Sequence, residues 1–184
     1  MKQSPDVYLA MNNYQWDTQF TELFERCLER YRGGDEDFTG YYTEADEAFL
    51  KSFGYKPREF FDFVEDFGDG GEPTLTTAIL VASARRDYFK WEMDREFGTR
   101  EIKPADLPGK GEDLDGITWL PRIIMKAVGK LRGELDPEIM FCCGGDRNFL
   151  RTHQIAPADF LRAVWSTGGD PAKMIDFVKS HTTE

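Results

Sequence analysis

Histidine occurs only twice in this 184-residue chain, at His153 and His181, and cysteine three times, at Cys27, Cys142 and Cys143. No Cys-x-x-Cys is present, so a Cys/His zinc site lacks its ligands. An odd cysteine count with two adjacent members is not a disulfide framework, and the default it implies is a reducing, cytoplasmic setting. No apolar run approaches the ~18 residues of a membrane span. Residues 1–17 have no apolar h-region, so a signal peptide is not expected there. Basic residues are in deficit, with 23 Lys and Arg against 34 Asp and Glu, a net charge of −11. The deficit is local: residues 1–97 hold 11 basic and 21 acidic groups, and residues 98–184 hold 12 and 13. Such a first half is a poor ligand for nucleic-acid backbone and is repelled by anionic membranes. No convincing alternating strand pattern occurs. No Lys-Ser or Lys-Thr follows Gly33, Gly144 or Gly168 at P-loop spacing, and no cofactor is implied.

Bulky apolar groups are plentiful, with 15 Phe, 7 Tyr and 4 Trp to build a core. They recur. Shifted by 100 residues, the stretch 19–64 falls on 119–164 without a gap, with eight identities: Arg32/Arg132, Gly33/Gly133, Asp46/Asp146, Phe49/Phe149, Leu50/Leu150, Pro57/Pro157, Phe60/Phe160 and Val64/Val164. Conservative pairs reinforce the register, among them Arg26/Lys126, Arg30/Lys130 and Glu59/Asp159. The pattern predicts two tandem copies, residues 1–97 and 117–184. Residues 98–116, rich in Gly, Pro and alternating charge, read as a linker or long surface loop.

Each copy reads as about four helices. Trp16, Phe20, Leu23, Phe24, Cys27, Leu28 and Tyr31 share one helical face, and so do Leu120, Ile123, Ile124, Ala127 and Leu131. Thr43 and Asp46 resemble a capping box, Gly54 is a natural helix stop, and Pro57 and Pro157 suit first-turn positions. A last helix in copy one is expected from near Pro73 along a stripe through Leu75, Ile79, Ala82, Phe89 and Met93 to Phe97. The fold class is therefore all-α, either two packed units or one pseudo-symmetric bundle.

The run Trp119-Leu-Pro-Arg122-Ile-Ile-Met-Lys126-Ala, then Leu131-Arg-Gly133, then Cys143-Gly-Gly-Asp146-Arg-Asn-Phe149-Leu150 resembles the bacterial family called domain of unknown function 5069. Its members show Leu-Pro-Arg opening a helix, a Lys-Ala pair about one turn later, and a Cys-Pro-Leu-Asp segment before a Phe-rich helix. The likeness covers roughly residues 116–180. Copy one enters only through the repeat. This chain has Met125 where members often carry Asp, Gly144-Gly145 for Pro-Leu, and Gln154 for a helix-ending glycine. The resemblance implies a helical domain of bacterial origin and no particular reaction.

Arg122, Lys126 and Lys130 lie four apart on one helix face, with Arg132 just beyond, and no acidic residue occurs between Gly116 and Gly133. That basic stripe is a solvated face, a dock for the acidic first copy, or a site for an anion or acidic partner. Cys143 falls at an expected helix N-cap, where thiol pKa values drop, although Asp146 nearby opposes that shift. His153 completes a Cys/His pair only if the fold returns it. The alternative is a cysteine serving as a weak cap or a small buried hydrophobe. Asp62, Glu65, Asp66, Asp69 and Glu72 invite a calcium reading, but their spacing fails the loop pattern. The leading expectation is a non-enzymatic interaction or accessory module that binds a protein partner or a second copy of itself. The alternative is a small enzyme or ligand-binding protein with a site between the copies, Cys143, Asp146, His153 and Arg122 being its candidates.

Overall fold

The computed structural model describes residues 14–182, so most of the 1–17 stretch lies outside the described residues. Among the described residues eight α-helices carry the fold: α1 (Trp16–Arg32), α2 (Glu44–Ser52), α3 (Pro57–Gly70), α4 (Leu75–Trp91), α5 (Leu120–Arg132), α6 (Gly144–Thr152), α7 (Pro157–Thr167) and α8 (Pro171–Thr182). The molecule is predominantly all-α. A two-stranded antiparallel hairpin, β1 (Asp113–Leu114) with β2 (Ile117–Thr118), is the only sheet among the described residues.

Local chemistry sets the helix ends. Thr43 Oγ1 accepts from the Asp46 N–H at 3.2 Å and Asp46 Oδ2 from the Thr43 N–H at 2.8 Å, a reciprocal capping box that starts α2. Pro57 and Pro157 occupy the first turns of α3 and α7, where a missing N–H costs nothing. Gly54, at φ +79°, ends the α2 turn. A Cβ there would stand 2.9 Å from an Arg85 nitrogen and 2.7 Å from the Phe89 ring, so only glycine fits.

The helix boundaries recur at the 100-residue offset. α6 covers the span of α2 plus 100, and α3 and α7 open on equivalent prolines. Leu50, Phe60 and Val64 and their counterparts Leu150, Phe160 and Val164 are all buried. The last pair departs from the pattern. α4 ends at Trp91 rather than running on to Phe97, because Asp94 and Arg95 turn with positive φ (49° and 63°). It is nonetheless the central helix, packing on α1 of its own half and on α5 and α7 of the other, while α8 packs on α7. The two halves share one continuous core.

The 98–116 segment, expected as a linker or long surface loop, is mostly exposed and is pinned to the rest of the molecule at two points. Ile102 and Leu107 are buried, the Ile102 N–H donates to Glu134 O at 2.7 Å, and the Asp136 N–H donates to Ile102 O at 3.0 Å. Its two apolar side chains and this short parallel bridge anchor it to the second half.

Candidate functional site

The densest polar arrangement joins α5 to the N-terminus of α6 around one carboxylate. Asp146 is the third residue of α6 and fully buried. Its Oδ1 accepts from Trp119 Nε1 at 3.0 Å, and its Oδ2 accepts from the Cys142 N–H at 2.9 Å and from Lys126 Nζ at 2.5 Å. The helix N-terminus adds a favourable field for the anion. The Lys126 ammonium is 3% exposed and also donates to Cys143 Sγ, 3.2 Å away.

Two of the three residues that donate to this carboxylate sit in left-handed backbone conformations, Trp119 at φ +76° and Cys142 at φ +71°. For side chains of this size such conformations cost about 1–3 kcal/mol each and persist only where the surroundings over-determine them. Here the Asp146 carboxylate holds both. Gly145 completes the arrangement, since a Cβ at that position would stand 2.6 Å from Trp119 Cζ2. Glycine at 145 therefore has a local cause: the indole lies against the first turn of α6.

The first half carries an ion pair 100 residues earlier in the chain, Arg26 Nη2 to Asp46 Oδ2 at 2.6 Å. Its partners are 49% and 15% exposed, whereas those of Lys126–Asp146 are 4% and 0% exposed. Thr43, opposite Cys143, caps its helix. The Cys143 sulfur makes no capping hydrogen bond, so the reading of a thiol cap is corrected: the sulfur faces the lysine amine instead.

A second buried cluster sits where the halves meet. Lys130 Nζ donates to Glu59 Oε1 at 3.1 Å and lies 4.0 Å from the centre of the Tyr55 ring. Burial works to lower the Lys130 pKa, but Glu59 and Tyr55 outweigh it and hold the ammonium above its ordinary value. Burial likewise opposes ionisation of Glu59, and Lys130 and Arg85 overcome it, keeping that carboxyl below its usual range. Arg85 is fully buried; its guanidinium donates to Gly54 O at 2.8 Å and to Leu131 O. One side chain thus meets carbonyls at the C-terminal ends of α2 and α5, where cations are favoured.

The basic stripe therefore divides. Lys130 docks on Glu59 of the acidic half, Lys126 turns to Asp146 of its own half, and Arg122 donates to Pro108 O at 2.6 Å beside the Trp119 ring. Arg132 pairs with Glu134 at 2.9 Å. The solvated-face reading is corrected for Lys126 and Lys130, both 3% exposed. Cys143 and Asp146 come together as neighbours, but His153 does not join them. It stands at the far end of α6, about 13 Å along the helix axis, against Phe149 and Thr182, and burial lowers its pKa. Arg122 likewise points away to the Pro108 turn. The acidic run is dispersed too: Asp62 and Glu65 meet Arg58, Asp66 and Glu72 meet Arg147, and Asp69 accepts from the Tyr31 hydroxyl. Among the described residues no group of three or more His, Cys, Asp or Glu is arranged to hold a metal.

Trp119, Glu59, Tyr55 and Arg85 also build these clusters, and no motif in the sequence marks them as site residues. The nearest thing to a signal for Trp119 was adjacency to Leu-Pro-Arg; for Arg85 there was none, because an arginine between Ala84 and Arg86 reads as surface. A groove of about 660 Å³ follows the outer face of α5. Pro108, Leu114, Pro121, Ile124, Met125 and Val128 line most of it, with Arg100, Arg132 and Glu134 as polar groups. No described helix is long and apolar enough to cross a membrane. No family model, curated protein or solved structure matches the chain.

Proposed function

We propose that the protein is a non-enzymatic interaction or accessory module whose receptor surface is the groove along α5. The groove carries this reading: a mostly apolar concavity of about 660 Å³ with a few polar groups has the make-up of a binding site. Its fitting occupant is a short apolar segment of a protein partner bearing a carboxylate that meets Arg100. The buried lysines are engaged in ion pairs, Lys126 with Asp146 and Lys130 with Glu59, and neither faces the groove. Side chains fill the contact between the halves around Lys130, Tyr55 and Arg85, which weighs against the alternative of an enzyme with its site there.

We infer further that the two halves descend from an internal duplication. The shared helix boundaries and the Arg26–Asp46 and Lys126–Asp146 pairs support this. The likeness to domain of unknown function 5069, a bacterial origin and a cytoplasmic location belong to the same reading. Nucleic acid and membranes are not among the expected partners.

Affinity capture with the wild type, Met125→Lys, Val128→Glu and the control Lys51→Glu tests the interaction reading, with circular dichroism verifying each fold. A partner retained by the wild type and control and lost by both groove variants supports it. A dimer broken by the groove variants alone replaces the partner with a second copy. Identical capture by all four proteins, or none by any, overturns it.

A further inference from the structure

Cys143 differs from the other two cysteines in place and company. Cys27 and Cys142 are buried, and burial pushes their thiols up to about 11 and about 12. Cys143 is half-buried and so open to a small oxidant, and its sulfur lies 3.2 Å from the Lys126 amine. That amine also donates to the Asp146 carboxylate, 2.5 Å away. One amine thus touches both a thiol sulfur and a carboxylate, the three groups that a thiol-to-amine condensation needs. In copy one the equivalent places are Thr43, Arg26 and Asp46, so only the second half carries it.

We propose that Cys143 and Lys126 form a reversible covalent S–N bridge, a sulfenamide, when a peroxide oxidises Cys143. In the first step the sulfur attacks one oxygen of hydrogen peroxide, the O–O bond breaks, and the departing hydroxide takes the thiol proton. Sulfur is oxidised by two electrons, peroxide is reduced by two, and the products are a Cys143 sulfenic acid and water. In the second step the Lys126 ammonium passes one proton to Asp146 and its nitrogen attacks the sulfur. The S–O bond breaks, and the departing hydroxide takes a second proton from nitrogen and leaves as water. Asp146 ends protonated just as the buried ammonium disappears, so no unpaired charge is left inside, the condition that buried ion chemistry must satisfy. Proximity favours this route over further oxidation, because the amine is already in contact with the sulfur. Two equivalents of an external thiol reverse the bridge, forming a disulfide and restoring the Cys143 thiol and the Lys126 amine.

The test treats the full chain with hydrogen peroxide and reads intact mass, peptide linkage and dimedone capture. Lys126→Arg is the informative variant: it keeps the charge on Asp146, as Arg26 does for Asp46, and removes the nucleophilic amine. The wild type is expected to lose about 2 Da, to yield a cross-linked pair of peptides containing Lys126 and Cys143, and to regain its mass with dithiothreitol. Lys126→Arg is expected to form no cross-link and to show more dimedone capture at Cys143 than the wild type, because the competing amine is gone. Loss of the same mass in Lys126→Arg would mark a Cys142–Cys143 disulfide and overturn the proposal. So would equal dimedone capture in both proteins, or an equal gain of about 32 Da from sulfinic acid.

Discussion

Single residues in this protein are governed by how far burial is compensated. Asp62 on α3 shows the uncompensated case. It is 7% exposed and meets Arg58 at 2.8 Å, but Arg58 also serves Glu65, and burial raises the Asp62 carboxyl to about 7. A carboxyl with a folded pKa above its unfolded value of about 3.9 binds its proton more tightly in the folded state. Its contribution is therefore present in full below about pH 4 and is lost as pH rises through about 7. Asp62→Asn has no proton to lose. Between pH 4 and 7 the wild type is expected to lose stability relative to Asp62→Asn, by an amount on the order of 1.4 kcal/mol per unit of pKa shift. Urea unfolding of both proteins across that window checks it, and parallel curves would show an ordinary carboxyl. Asp146 is the compensated case, with three N–H donors on one buried carboxylate. The pairing was half legible. Arg26/Lys126 and Asp46/Asp146 stand out in the repeat, but no spacing rule announces that one pair is exposed and the other buried.

At the scale of elements, helix starts and stops follow local rules and were readable. The Thr43–Asp46 box, the first-turn prolines and the Gly54 stop are short-range chemistry, independent of what packs above them. Burial of equivalent helical positions was not readable in the same way. Phe149 is 6% exposed and packs on Phe160 at 6.3 Å between ring centres. Phe49 is only half-buried, against Phe53 at 5.1 Å. Phe149→Ala is thus expected to cost about 3–5 kcal/mol, and Phe49→Ala less than half as much. Thermal or chemical unfolding of the two variants measures the difference. Equal losses would mean that the shared sequence register extends to shared packing.

Across the whole molecule the two halves behave as one core, joined by α4 and by the Lys130–Glu59 pair. That pair is 4% and 11% exposed, so salt screens it weakly and an insensitive salt series is the expected result. Lys130→Met leaves Glu59 buried without its partner and is expected to cost about 3–5 kcal/mol, whereas Lys130→Met with Glu59→Leu recovers most of that loss. Circular dichroism and tryptophan fluorescence should report one coincident urea transition in every case. Separate transitions would mean that the halves unfold independently.

The amino-acid sequence alone determined the helical class, the number of helices per half and most of their boundaries. Those depend on residue spacing and capping, which act within a few positions along the chain. Only the tertiary structure decided that Lys126 and Lys130 face inward to different carboxylates, that His153 stands apart from Cys143, and that Arg85 ties α2 to α5. Residues far apart in sequence meet only when helices pack. Charges that a helical wheel assigns to one exposed face are then sorted by whichever neighbour covers each turn.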